Sequence, residues 1–531
     1  MNFTNNINPY KSVLKDFIAI VAGYLVQLSL APYNYSILAF LSTLLFIYSI
    51  QNCSLKRAVI RGYLYGCALF GFGINWIYIS IHEHGNASPL LAGFLTMLLI
   101  CVILAFYPTI KVWLYKLLEN KFFNKQMNNT SSVLTFASIW VLIDWLQSWL
   151  FTGFPWLYLG YSQTTSNLAS FAPIVSVYGL TWLIIFISGL AYLFLDNINQ
   201  FINNNNNQYN LNKCLNYTLI VIIIFVMGTS LSGITWTTQN LKSERVALVQ
   251  GNIAQSNRWS QEELANNIAT YEGLTTPYWQ NRTIIWPESA VNIALPYGND
   301  LVSKWQQIAL KNNSTMILGI PRVANNQHQY FNSIMAIGKG DGVYNKTKLV
   351  PWGEYVPFEN IFRGIIDFFN LPMSSFISGN IYQPYFNTLS SPNIQWLPFI
   401  CYEIAYPSYV INHAHAGDAI ITISNDTWFG DSSGPWQHLQ LAQMRALETA
   451  RPVVRATNNG VTAIITPNGQ ISKRIEQFKA DVLIDDAVYG YQGITPIMYY
   501  GVNTIMLLCL IIIALCCYLP MKLKSFKIYP A

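Results

Sequence analysis

At 531 residues the chain has room for several domains, but with 52% hydrophobic and only 10% charged residues it falls far short of the roughly 25% charge of a soluble globular protein. Much of it is therefore expected in lipid. The net charge of +6 is not gathered into basic clusters with interleaved aromatics, which excludes nucleic acid as an expected partner.

A helix needs about 20 apolar residues to cross a bilayer. Segments of that kind lie at 14–31, 36–52, 59–81, 89–110, 132–151, 171–195 and 215–236, and a last one at 499–519. The expected architecture is a multi-span α-helical membrane domain of about eight spans, seven of them within 1–236, with a polar domain at 237–498 and a final span and basic tail at 499–531. The first segment follows Lys11 and Lys15 and has no small-residue cleavage site, so it is expected to remain as an anchor. Loops 53–61 and 111–131 and the tail carry Lys56, Arg57, Arg61, Lys111, Lys116, Lys121, Lys125, Lys522, Lys524 and Lys527, whereas 32–35, 82–88 and 152–170 carry no Lys or Arg. The positive-inside rule then puts both termini in the cytoplasm and 237–498 outside it. The Asn-rich stretch 202–212 reads as a connector.

Two membrane features stand out. Asp144 falls in the fifth expected span, where an ionisable group is costly, and both a functional and a paired structural carboxyl are open. His82-Glu83-His84 has ligand types at i and i+2 but no further Cys or His nearby, so it reads as an interfacial loop and not a metal site.

From Val246 the pattern turns to short strands and amphipathic helices, as in an α/β sandwich. Strands are expected at 246–250, 284–286, 316–320, 396–400, 419–424, 453–456 and 461–466. Helices are expected from a Ser260/Glu263 capping box through 275, near 300–312 and near 436–450, with a hairpin at Gly340-Asp341-Gly342. Cys401 follows the apolar run Trp396–Ile400 and precedes the turn Ala405-Tyr406-Pro407, so its thiol is expected at a strand end. It is the one cysteine between Cys214 and Cys509; the others lie in or beside apolar runs, and no disulfide framework is indicated. Glu288, after Trp286-Pro287, and Lys346, in Tyr344–Pro351, also fall at strand ends. A carboxylate can take the thiol proton, the sulfur can attack a carbonyl, and an ammonium can stabilise the thiolate and the oxyanion.

Together these residues resemble the Glu-Lys-Cys centre of the nitrilase superfamily. The flanks VQGNIAQSNRW (249–259), WPESA (286–290), YNKTKLVPWGEYVPF (344–358), FICYEIAYP (399–407) and SNDTWFG (424–430), with GFPWLYLGYSQ (153–163) and APIVSVYGLTWL (172–183), resemble its membrane-bound branch, the apolipoprotein N-acyltransferases. The resemblance implies a nitrilase-like α-β-β-α sandwich with Glu288, Lys346 and Cys401 catalytic, and Trp259, Glu354, Tyr402 and Glu403 supporting. It selects Lys346 over Lys348, which strand alternation would put on the same face. Glu354 could bond the lysine or position the incoming amine, the Tyr402 amide could complete an oxyanion hole, and a purely structural role for the Glu403 carboxylate stays open. Gln147 stands where the family often has a basic residue after the fifth-span carboxyl, which puts a membrane ion pair in doubt. Asn75-Trp76 and Pro155-Trp156 could line an acyl-chain groove or belong to an aromatic belt. The aromatic stretch 357–386 is expected to be a lid, with a packing loop as the alternative.

The implied reaction is transfer of an acyl chain from a membrane phospholipid, through a Cys401 thioester, to the α-amine of the diacylglyceryl-cysteine of apolipoproteins. It needs no metal or organic cofactor, and a monomer in the bacterial cytoplasmic (inner) membrane is expected. A membrane-tethered amidase or hydrolase using the same three residues is the alternative, and a transporter or scaffold the next.

Overall fold

In a computed structural model of the chain, the described residues are 9–123, 127, 129–203, 208–255, 262–324, 329–355, 357, 376–381, 383 and 389–526. They fall into two compact units, Met1–Asn75 with Pro89–Ile234 and Val502–Ala531, and Trp76–Ser88 with Thr235–Gly501.

The first unit is helical. Among the described residues, Tyr10–Ser29, Pro89–Phe122, Asn167–Asn203 and Asn210–Leu231 are long and apolar enough to cross a membrane. The other expected spans are shorter or interrupted. Ile37–Ile50 has 14 residues, about 21 Å of helix against a hydrocarbon core of about 30 Å. The helix Leu55–Gly73 stops well before residue 81, and a separate short helix, Trp76–Ile79, begins after the break. Thr130–Gln147 carries Asp144, and in Val502–Phe526 the apolar part ends at Tyr518. Close helix packing rests on small residues: a Cβ at Gly66 would lie 2.8 Å from the Ala105 Cα.

Several basic residues that read as loop charges are buried in ion pairs. Lys111 lies inside the helix Phe106–Phe122, with Nζ 2.5 Å from Asp144 Oδ1 and 4.3 Å from the Trp140 ring centroid. The membrane ion pair doubted because of Gln147 therefore exists, with its cation from another helix. Gln147 instead donates to the Phe154 and Trp156 carbonyls. Lys116 pairs with Glu119 at 2.5 Å, and Arg61 with Asp16 at 2.8 Å.

The second unit carries two six-stranded sheets. The first comprises β1 (Thr238–Gln250), β2 (Thr283–Ile285), β3 (Thr315–Val323), β4 (Tyr330–Gly338), β5 (Gly342–Asn345) and β12 (Asp481–Gln492), in the order β12-β1-β2-β3-β4-β5. The second comprises β6 (Leu389–Ser390), β7 (Gln395–Ile400), β8 (Ala419–Ser424), β9 (Val453–Thr457), β10 (Ala463–Ile465) and β11 (Ile471–Arg474), in the order β11-β10-β9-β8-β7-β6. β1-β2-β3 and β7-β8-β9 are parallel, and the outer pairs are antiparallel.

Both faces of the central strands are apolar, as parallel strands buried on both sides require. Val246, Leu248, Ile285 and Ile317 share one core with Trp396, Ile400, Ile421 and Val454, so the sheets pack face to face. The alternating residues Ala247, Val249, Ile284 and Met316 pack under the helices Leu264–Thr275 and Asn299–Lys311 through Ile268, Tyr271 and Trp305. The helix Gly434–Thr449 lies against β9 and β10. The helix expected from Ser260 begins at Leu264, and Ser260 itself lies outside the described residues. His82-Glu83-His84 belongs to a wide, π-type helical turn, Ser80–His84, and not to an open loop.

Candidate active site

β7 ends at Ile400, and Cys401 opens the tight turn Cys401–Ala405 with φ 52°. For a non-glycine residue this left-handed conformation costs about 1–2 kcal/mol, so the surrounding structure must hold it. Glu288 follows the end of β2, where its loop crosses β3 at Gly319. A Cβ at 319 would lie 2.5 Å from the Pro287 carbonyl oxygen and 2.7 Å from the Glu288 Cα, so only glycine lets the loop pass. Lys346 comes directly after β5, its N–H donating to the Asn332 carbonyl at 2.8 Å.

The Lys346 ammonium lies between two carboxylates, 3.2 Å from Glu288 Oε1, 3.0 Å from Glu354 Oε1 and 2.9 Å from Glu354 Oε2. All three side chains are buried. Burial alone would pull the lysine pKa down, but Glu288 and Glu354 outweigh it and the net shift is upward, so the ammonium keeps its proton. Burial and then the Glu288 carboxylate push the Cys401 thiol up, with Lys346 opposing them. At rest the group is therefore a thiol, with a base and a cation close enough to act on it electrostatically.

Glu403 is fully buried and accepts from two segments at once. Oε1 takes the Thr347 N–H (2.7 Å), the Lys348 N–H (3.1 Å) and the hydroxyls of Thr347 (3.0 Å) and Tyr344 (2.7 Å). Oε2 takes the Ile400 N–H at 2.8 Å. Burial raises its pKa, while the Ile400 and Thr347 amides act the other way. One carboxylate thus ties the lysine segment to the cysteine turn.

Lys348 goes elsewhere, its ammonium 5.5 Å from the Tyr406 ring centroid and 5.9 Å from that of Tyr409. The shared face expected from strand alternation does not occur, because β5 has already ended at Asn345. Tyr402 is buried with its ring edge-on to Tyr406 at 5.1 Å. Trp259 lies outside the described residues, as does most of the expected lid 357–386. Of that stretch, Gly379 donates its N–H to the Lys346 carbonyl at 2.7 Å, and the Ser378 hydroxyl donates to the Thr347 carbonyl at 2.7 Å.

Two site residues escaped the sequence reading. Asn332 Nδ2 lies 2.7 Å from both Glu288 Oε1 and Glu354 Oε1, bridging the carboxylates beside the lysine. Its signal was a polar residue within the apolar strand β4. The Asn425 N–H donates to Glu288 Oε2 at 2.8 Å, and its signal was a polar Ser-Asn-Asp run at the end of β8. The turn after Asn425 is clasped by 76–88: the Ser80 hydroxyl donates to the Trp428 carbonyl at 2.6 Å, and His84 Nε2 is 3.0 Å from the Thr427 carbonyl. Trp76 of the expected acyl groove packs edge-on against Phe429 at 4.5 Å, with its indole N–H 3.3 Å from Gln437 Oε1. In the helical unit, Trp156 is buried.

Residues 22–190 match the family described as the apolipoprotein N-acyltransferase N-terminal domain, and residues 245–489 match the carbon-nitrogen hydrolase family. The chain is 37% identical over 500 residues to the apolipoprotein N-acyltransferase of Pseudomonas syringae pv. tomato, covering 94% of this chain and 95% of that one. It is 38% identical over 489 residues to that of Pseudomonas aeruginosa (91% and 92%), and 35% identical over 502 residues to that of Coxiella burnetii (94% and 99%). Full-length likeness at this level, running through both units, identifies the chain as a member of the apolipoprotein N-acyltransferase family.

Proposed function

We propose that the chain is a phospholipid:apolipoprotein N-acyltransferase working through a thioester on Cys401. Glu288 takes the thiol proton as the sulfur attacks an ester carbonyl of a membrane phospholipid. The tetrahedral oxyanion is stabilised by the Lys346 ammonium and the Tyr402 N–H. Collapse of this intermediate breaks the ester C–O bond, and the departing lysophospholipid oxygen takes the proton back from Glu288. The α-amine of a diacylglyceryl-cysteine then attacks the thioester, Glu288 receives its proton, and Cys401 leaves and is reprotonated, giving an amide. One nucleophile serves both halves, so the kinetics are ping-pong. Glu354 and Asn332 hold the lysine and the base, and Glu403 holds the two segments in register.

The enzyme is a monomer of about eight spans in the bacterial inner membrane, with seven spans in 1–236, the catalytic domain 237–498 on the periplasmic side, and a last span and cytoplasmic tail in 499–531. The basic residues outside the buried ion pairs, such as the exposed Lys56 and Lys121, set against the stretches 32–35, 82–88 and 152–170 without Lys or Arg, support that orientation.

The observation that carries the proposal is the buried Lys346 ammonium between Glu288 and Glu354, in electrostatic reach of a thiol held at a strand end in a left-handed turn. Intact-mass analysis of the purified chain after exposure to phospholipid tests it. A gain of one acyl chain that hydroxylamine removes and peptide mapping assigns to Cys401, absent in Cys401→Ser, is expected. Release of free fatty acid with no acylated lipoprotein formed would point instead to a tethered hydrolase.

A further inference from the structure

A second buried cluster touches the nucleophile from behind. His438, on the helix Gly434–Thr449, is 1% exposed, and its Nε2 lies 3.0 Å from the carbonyl oxygen of Cys401. Its Nδ1 lies 3.1 Å from Arg455 Nη2 and 3.0 Å from Asp426 Oδ1. Arg455 Nη2 also donates to Asp426 Oδ2 at 2.6 Å, and the Ser424 hydroxyl donates to Asp426 Oδ1 at 2.6 Å.

These contacts put a proton on Nε2. A carbonyl oxygen only accepts, so Nε2 must carry the proton that it shares with Cys401. Nδ1 faces both the Arg455 amino group and the Asp426 carboxylate, which fix the ring from its other side. Burial and the adjacent guanidinium push the imidazole pKa down, while Asp426 and the Cys401 carbonyl act the other way; the Nε2 proton is present in either charge state.

The peptide plane carries the consequence. In a trans peptide unit the carbonyl of one residue and the N–H of the next are fixed in one plane and point in opposite directions. Anchoring the Cys401 oxygen on His438 therefore aims the Tyr402 N–H away from the histidine.

We infer that His438 is a positioning residue that locks the Cys401–Tyr402 peptide plane, so that the Tyr402 N–H is preset to receive the oxyanion of the acyl-transfer intermediate. This rests on the acyl-transfer reading above and adds to it a residue 37 positions from the nucleophile. Arg455 and Asp426 set the ring, and the ring sets the amide.

The test separates oxyanion chemistry from thiol reactivity. Acylation of Cys401 passes through an oxyanion, whereas its alkylation by iodoacetamide does not. Asparagine reproduces the Nδ1 side of the ring but falls short of the Cys401 carbonyl, and glutamine keeps a donor near the Nε2 position. With the full chain in detergent micelles and phosphatidylethanolamine as probe, H438N should slow adduct formation on Cys401 by ~10- to 100-fold while alkylation stays within about 3-fold of wild type. H438Q should stay within about 5-fold of wild type in both assays. Equal losses in acylation and alkylation, or no loss of acylation in H438N, would overturn the inference. If H438N does not fold, H438Q decides alone: a folded H438Q that loses more than ~10-fold in acylation refutes it. A wild-type chain that forms no adduct on Cys401 defeats the reaction itself, and the inference falls with it.

Discussion

The Cys401 sulfur sits between opposing fields. Burial and the Glu288 carboxylate hold its proton on, while Lys346 favours the thiolate. In the proposed reaction the nucleophile is a thiol at rest and is activated only as Glu288 takes the proton in the attack, which limits adventitious thiolate chemistry. Because the thiol is pushed up from its ordinary range, its alkylation by iodoacetamide is expected to keep rising with pH and to show no plateau near the usual ~8.5. Lys346→Met should lower the alkylation rate further at any given pH, since the group that favours the thiolate is gone. A pH-rate profile of Cys401 modification followed by mass spectrometry checks both. A plateau at or below the ordinary thiol pKa would show that the ammonium outweighs burial.

Among the elements, the short segments after strand ends carry the site, and a single side chain binds two of them. Glu403 accepts donors from Ile400, Thr347, Lys348 and Tyr344 inside the protein. Glu403→Ala would strand those donors without water, and a loss of about 3 kcal/mol is expected, read as a lowered denaturation midpoint of the purified chain. Glu403→Gln keeps one accepting oxygen and should lose less. This arrangement also explains what the sequence could reveal. The apolar run Trp396–Ile400 ending at a cysteine was legible because strand burial and strand ending are local properties. Lys346 and Lys348 were not separable by alternation, because the strand stops at Asn345 and the chain turns. Asn332 carried only the weak signal of a polar residue in an apolar strand and His438 none, since only folding brings β4 and the helix Gly434–Thr449 to the ends of β2 and β7.

For the whole molecule, the buried charges of the helical unit bear on both topology and stability. Lys111 and Lys116 read in sequence as basic loop residues, yet each is buried against its own carboxylate, at 2.5 Å in both cases. Losing one member of the Lys111–Asp144 pair leaves a buried charge uncompensated, so Lys111→Met and Asp144→Leu should each cost about 3–5 kcal/mol, and the double variant far less. Thermal stability of the three variants in detergent measures this; a double variant as damaged as the sum of the singles would mean the pair is not an isolated couple. The segment Trp76–Ser88 has a consequence for how the protein can be divided. It belongs to the same compact unit as Thr235–Gly501, though more than 140 residues separate them along the chain. Its Ser80 and His84 clasp the turn that begins beside Asn425, whose amide holds Glu288. An excised 237–498 fragment made for soluble work would lack that clasp, leaving Glu288, the proposed general base, on a loosened footing, so slow turnover by the fragment would fit a missing strap as well as a wrong assignment of the nucleophile.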